Sequence, residues 1–337
     1  MRCIFCLKEL PPSLEHVFAD AIGGRLTTDR VCTPCNSTLG TRVDAALSDN
    51  LLVRMRRAQL GIPSRSGVPA LHELLLGTHE VKDGQGRRVQ VTPNKATGQI
   101  DVRAIHHATD VDLPDGGRAR QILIDERDRD QLPKIIQRER KRHGLPPLSD
   151  VELAAEIAKF ATNVTEVVNP EVNVQKTFRF EFVRHGLLKI VYELAFLWLG
   201  EAYLDDPHAA KIRAAVMADD PNSTDEIPGY MGLNEECDAF NRIWNPHPAH
   251  HLAYAIATPT HIRVCARVFD IYAAAVPVTE NPWRYLGGAN DMNKLRFMAM
   301  DAVSGTQHGT SFYEEVKRLN ALMASKNNSS PCDDPLV

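Results

Sequence analysis

Residues 3–40 read CIFCLKELPPSLEHVFADAIGGRLTTDRVCTPCNSTLG, and this stretch decides the fold of the N-terminal segment. Two Cys-x-x-Cys pairs, Cys3/Cys6 and Cys32/Cys35, open it and lie near its end. Each pair brings two sulfurs to one point, and Zn²⁺ takes four soft or borderline ligands in a tetrahedron. The 25 residues between Cys6 and Cys32 slightly exceed the usual ribbon spacing and leave room for a β-hairpin plus a loop. Redox-active dithiols are the competing reading, but two pairs in one short module favour a metal. A site closed by four thiolates is a structural staple, so any catalytic metal must sit elsewhere.

Between the two knuckles lie Glu15-His16 and a Gly23-Gly24 turn, and Asn36 directly follows the last cysteine. Singly, these residues mean little. A lone His in a loop is usually a surface residue, and an Asn after a cysteine often just caps or turns. Their placement carries more: Glu15-His16 lies between the knuckles, and Asn36 is tied to the metal through Cys35. Carboxylate and amide oxygens are hard ligands suited to Mg²⁺ or Mn²⁺. A neutral imidazole can take a proton from water at physiological pH.

Knuckle, acid–His pair, Gly-Gly, knuckle and Asn, in that order, resemble the HNH endonuclease superfamily. The likeness is to its bacterial branch with a Cys-x-x-Cys pair on either side of the active site, and it covers roughly residues 1 to 50. It implies a ββα-metal finger in which one hairpin strand carries Glu15 and His16 and the following helix carries Asn36. It further implies a single catalytic Mg²⁺ or Mn²⁺ held by Glu15 and Asn36, with His16 as the general base, beside a structural Zn²⁺ on Cys3, Cys6, Cys32 and Cys35. The implied activity is hydrolysis of nucleic-acid phosphodiester bonds, most directly in DNA, in restriction, phage defence or mobile-element biology. Two departures stand out. The loop Leu26–Arg30 has neither the Asn nor the His often found before the helix, and Gly40 occupies the place of a second helix ligand. Asp44, one turn further on, is the nearest replacement, although a solvated or capping carboxylate is the more ordinary reading. The rival to the enzyme is a non-catalytic zinc-dependent module that binds nucleic acid or protein.

From Cys35 onward, Val43, Leu47, Leu51 and Met55 keep one helical face, and Gly61-Ile62-Pro63 ends the helix. Residues 71 to about 126 alternate as strands separated by Gly-rich turns. Two helices follow, near 130–143 and 149–160, the second with Ser149 and Glu152 in capping-box spacing. A helix from about Phe182 to Tyr203 is apolar almost all round and should be buried. A shorter one spans Pro207–Met217, three strand-like runs between Leu252 and Val278 suggest an antiparallel meander, and a last helix covers about Ser311 to Met323. The expected fold class is α+β: a zinc-stapled HNH finger, then a larger α+β region with an antiparallel sheet and a buried core helix. The expected divisions are residues 1–62 as the nuclease domain, 70–324 as an α+β region with room for a break near 165–180, and 325–337 as a disordered tail.

The bulk composition is that of a soluble protein: 337 residues, 43% hydrophobic, 24% charged, formal net charge −4. Near-neutrality argues against wholesale electrostatic binding of nucleic acid, though a nuclease needs only a local basic surface. Arg54, Arg56, Arg57 and the run Lys134–Arg142 are candidate phosphate contacts, with Arg25 and Arg30 nearer the site. Lys189, Glu193 and Glu201 make the most apolar helix too polar to span a bilayer, so no membrane partner is expected. The absence of an apolar leader, and cysteines in metal spacing, point to the cytoplasm. Cys237, Cys265 and Cys332 read as ordinary free thiols, and His106-His107 and His247–His251 as loop or structural histidines. There is no Walker A motif and no Gly-x-Ser-x-Gly elbow. Oligomeric state is not legible.

Overall fold

The computed structural model describes the chain except residues 65–66, 71–74, 95–96, 98, 113, 161–170, 175–179, 239–246, 288–294 and 329–337. In chain order the elements are β1 (Pro12–His16), β2 (Thr27–Cys32), α1 (Thr33–Thr38), α2 (Ala45–Ser48), α3 (Leu51–Leu60), β3 (Gly77–Val81), β4 (Arg88–Pro93), β5 (Ile100–Ala104), β6 (His107–Asp112) and β7 (Arg118–Leu123). There follow α4 (Leu132–Arg142), α5 (Asp150–Phe160), β8 (Val172–Asn173), α6 (Phe180–Leu199), α7 (Pro207–Met217) and β9 (Tyr230–Leu233). The chain continues through β10 (His250–Ala257), β11 (Ile262–Val268), β12 (Tyr272–Thr279), β13 (Arg296–Asp301), β14 (Gln307–Ser311) and α8 (Phe312–Asn328). The fold is mixed α+β with antiparallel sheets, as the patterning predicts.

Packing divides the chain into two units, one of Met1–Pro69 with Phe178–Val337 and one of Ala70–Thr177. The sequence reading separates the first 62 residues from everything after residue 70. In the structure those residues share a core with the chain's C-terminal half: Ile4, Phe18, Ile22 and Leu47 lie in one buried cluster with Leu187, Leu194, Val264 and Val276. The suggested break near 165–180 lies largely outside the described residues. Helix α8 runs to Asn328, into the stretch expected to be a disordered tail, whose last nine residues also lie outside them.

In the first unit, six strands pair antiparallel in the order β14-β13-β10-β11-β12-β9. Helix α6 packs on β11 and β12 on one side and on α2 and α7 elsewhere. Enclosure on several sides explains why its residues are apolar all round. The opposite sheet face carries Leu252, Tyr254, Cys265 and Phe297, with Phe312 and Leu319 of α8 against it. Burial on both faces explains the near-continuous apolar runs of β10–β12.

The second unit holds a four-stranded sheet ordered β5-β4-β3-β8, a β6–β7 hairpin, and α4 and α5. Its sheet core is small, centred on Val81, Val89 and Val91. The capping box at α5 forms as predicted: Glu152 Oε2 accepts from Ser149 N at 2.9 Å, and Glu152 N donates to Ser149 Oγ at 3.4 Å.

The helix expected from Cys35 to Gly61 is interrupted. After α1 it widens into a π-helical stretch, Leu39–Asp44, and it breaks at Asp49-Asn50. Asn50 caps α3 by accepting from Leu52 N at 3.0 Å, and its Oδ1 also accepts from Tyr272 OH at 2.9 Å. The break rotates the buried face, so Val43 and Leu47 are buried while Met55 is exposed and Val53 replaces it. Gly61, at φ 68°, ends α3 where predicted.

The Gly-Gly turn is sterically obligatory. Gly23 has φ 83°, and a Cβ on Gly24 would lie 1.7 Å from the Phe18 carbonyl oxygen. Gly24→Ala should therefore destabilise the protein by roughly 3 kcal/mol or more in urea denaturation. Gly40→Ala, with open space around it, should stay within about 0.5 kcal/mol of the parent. Equal midpoints for the two variants would contradict this reading of the turn.

Candidate nuclease site

The site begins with the staple. The four cysteine sulfurs lie within 4.8 Å of one another, and Cys6 Sγ is 3.7 Å from Cys32 Sγ. Four Zn–S bonds of ~2.3 Å in a tetrahedron give sulfur–sulfur edges of about 3.8 Å, so the cluster fits Zn²⁺. Leu7 takes the left-handed conformation (φ 60°) and donates its N–H to Cys3 O at 2.9 Å, closing the first knuckle. Cys32 N donates to Cys3 Sγ at 3.3 Å. Burial pushes the Cys3 thiol up, but backbone hydrogen bonds from Cys6, Cys32 and Phe5 outweigh it and hold it below its ordinary value. Burial and the neighbouring sulfurs push Cys35 well above its ordinary range.

On this staple sits a ββα unit. Strands β1 and β2 pair antiparallel, with Glu15 opposite Thr28, His16 opposite Thr27, and a register irregularity between Ser13 and Glu15. Helix α1 starts directly after β2, with Pro34 in its first turn. Asn36 is tied to β1: its Nδ2 donates to Leu14 O at 2.7 Å and to Ser13 Oγ at 3.1 Å. The side-chain amide thus ties helix to strand and leaves its Oδ1 as an acceptor. An open cleft of about 540 Å³ lies beside the hairpin, between Leu14 and Thr27 on one wall and Phe196, Leu197 and Gly200 on the other.

Glu15 lies on the inner face, 2% exposed, where its Oε1 forms an ion pair with Lys189 of α6. Lys189 is itself fully buried, 3.1 Å from Asp44 Oδ1 and 3.7 Å from Glu193 Oε2, and it donates to His16 O at 2.6 Å. Burial raises the Glu15 carboxyl above its ordinary value against the pull of Lys189. Burial also pushes the Glu193 carboxyl well above its own, against the pull of Lys189 and with Glu15 and Asp44 adding to the rise. Burial disfavours charge on Lys189, but Asp44, Glu193 and Glu15 together hold its ammonium above the ordinary range. His16, next to Glu15 in the strand, is half-buried and projects from the opposite face.

Of the residues read from the sequence, the fold therefore brings Asn36 against the strand that carries Glu15 and His16. It turns Glu15 toward α6, and it draws Asp44 to Lys189 instead of leaving it solvated. Sequence patterning does not single out Lys189 as the partner of Glu15 and Asp44. Its signal was a Lys189/Glu193 pair four residues apart in an otherwise apolar helix, which from sequence served only to exclude a membrane span. No helix among the described residues is long and apolar enough to cross a membrane.

Several candidate phosphate contacts are already engaged. Arg25 pairs with Asp20, Arg30 with Glu201 and Arg56 with Asp270, while Arg57 is buried and donates to Ser48 O at 3.3 Å. On α4, Lys134, Arg138 and Lys141 are exposed at i, i+4 and i+7.

The finger is fastened to the sheet through His251, a structural histidine as the sequence suggested. Its Nε2 donates to Ile22 O at 2.8 Å, its Nδ1 accepts from Phe269 N at 3.2 Å, and its ring stacks on Phe18. Burial lowers it to about 4 from an ordinary 6.5, with His250 adding to the fall and Asp301 opposing it. The unfolded chain takes up this proton as pH falls through ~6.5, and the folded chain does so only near 4. The contribution is complete above 6.5 and is lost between 6.5 and 4, a change of roughly 3 kcal/mol. Urea midpoints measured from pH 7.5 to 4.5 should fall more steeply for the parent than for His251→Gln. Parallel curves would show that His251 does not titrate with unfolding.

A hairpin with an acid–histidine pair, a helix with an Asn held to it and a four-cysteine cluster that fits zinc make up a ββα finger. Residues 3–52 match the model of a family described as HNH endonuclease. No curated protein and no solved structure matches the chain.

Proposed function

We propose that the finger is an active endonuclease that hydrolyses phosphodiester bonds, in DNA first of all, in a divalent-metal-dependent reaction. The observation that carries the reading is the bond from Asn36 to the main chain of Leu14. It fixes the helix residue to the strand holding Glu15 and His16, on a finger whose sequence matches the nuclease family.

The donor set fits a hard divalent ion. Lys189 engages Glu15 through Oε1, while the hydrogen bonds of Asn36 use its Nδ2 and leave Oδ1. Glu15 and Asn36 would hold Mg²⁺ or Mn²⁺, which when bound polarises the phosphoryl oxygen and stabilises the departing 3′-oxygen. His16 accepts a proton from water as the water oxygen attacks phosphorus and the P–O3′ bond breaks. The cleft lined by Leu14 and Thr27, the latter the register partner of His16, offers room for a strand beside the hairpin. Unpaired cysteines clustered as metal ligands fit a reducing cytoplasm.

One observation favours the rival reading, a zinc-dependent module that binds nucleic acid without cutting it: Glu15 is buried and already paired to a cation. The two readings separate on substrate. Supercoiled plasmid, linear duplex, single-stranded DNA and RNA would each be offered with Mg²⁺ or Mn²⁺ alongside a gel shift without added divalent ion. Cleavage of DNA supports the nuclease. A salt-dependent shift with no cleavage of any substrate supports the binding module.

A further inference from the structure

We propose that Lys189, 173 residues away in sequence, is a positioning residue of this site, an inference that rests on the nuclease reading. Its Nζ touches two segments of the finger at once. It donates to the His16 carbonyl at 2.6 Å and pairs with Glu15 at the end of β1, and it holds Asp44 at 3.1 Å at the end of the π-helical stretch. Its own helix contributes Glu193 at 3.7 Å.

Packing alone does not call for such a cluster. Apolar side chains of similar volume commonly fill such a site at equal or better stability, because desolvating charges is costly. What the ammonium supplies is orientation. Neighbouring residues in a strand point to opposite faces, and a slip of one position exchanges them. The register irregularity between Ser13 and Glu15 lies directly before the pair, where such a slip is easiest. By holding Glu15 inward and binding the carbonyl of His16 itself, Lys189 fixes the outward direction of the imidazole. Helix α6 is a stiff mount for this clamp, since it is buried from Val183 through most of its length against the sheet. The catalytic finger is thus completed by the C-terminal half of the chain.

The test uses full-length Lys189→Met and a charge-compensated Lys189→Met/Glu15→Gln variant, which remains informative if the single variant fails to fold. Zinc content and DNA affinity without added divalent ion report on folding and binding. Two-bond ¹H–¹⁵N correlations of the His16 imidazole, without DNA or divalent ion, report on its placement. Lys189→Met should keep zinc and DNA affinity, lose about 100-fold in single-turnover rate, and shift the His16 signals. In the double variant, whose rate Glu15→Gln itself lowers, only the His16 signals are read, and they should shift as well. Zinc-loaded variants with parental His16 signals, and a Lys189→Met rate within threefold of the parent, would overturn the proposal. If the parent itself does not cleave, the nuclease reading fails, and the His16 signals alone decide the positioning role.

Discussion

Replacing Cys35 with Ser should abolish stoichiometric zinc and unfold more than the finger. The parent should carry one zinc per chain, the variant none. The expected loss is large because a four-thiolate zinc site contributes about 10 kcal/mol or more to the folding of finger peptides. Here the finger does not unfold alone. Ile4, Phe5, Phe18 and Ile22 belong to the same buried cluster as Leu187, Leu194 and Val264. Without zinc, Cys3, Cys6 and Cys32 have no ion to join them, and the knuckle that carries Ile4 and Phe5 loses its closure. The melting temperature should fall by about 10 °C or more, which for a unit of this size corresponds to several kcal/mol. A zinc-free variant that melts with the parent would mean that the cysteines are incidental to the fold.

His16→Ala should lower the single-turnover cleavage rate by about 10²–10⁴-fold, the usual contribution of a general base. Zinc content and thermal stability should hardly change, because the imidazole is half-buried on the face away from the core. The His16 carbonyl, which Lys189 binds, is retained in the variant. DNA affinity without added divalent ion should also be retained. A variant that cleaves at the parental rate would remove His16 from the chemistry even if the finger binds DNA.

These two residues mark how far the sequence reaches. The four-cysteine cluster and the hairpin-then-helix order around it were legible because their information is local: four cysteines, a Gly-Gly turn and Asn36 lie within about forty residues. The meander β10–β12 and the buried helix α6 were legible because continuous apolar runs dictate burial on all sides. What the sequence could not show depends on contacts between distant segments. Tyr272 bonds Asn50 across 222 residues, at the break in the helix predicted to run unbroken from Cys35. Lys189 looked like an interruption of an apolar helix, because its partners Glu15 and Asp44 lie far earlier in the chain. The same holds for the grouping of Met1–Pro69 with Phe178–Val337, which no linker composition announces.

The central claim is that this zinc-stapled finger hydrolyses DNA, and the most direct measurement is conversion of supercoiled plasmid by the full-length parent. The zinc-loaded protein would be incubated in Mg²⁺, in Mn²⁺ and without added divalent ion, with His16→Ala purified in parallel. The account predicts nicked or linear product with either metal, none without them, and a strongly reduced yield from His16→Ala. Cleavage that is equal in parent and variant, or plasmid left intact by the zinc-loaded parent under both metals, would contradict it.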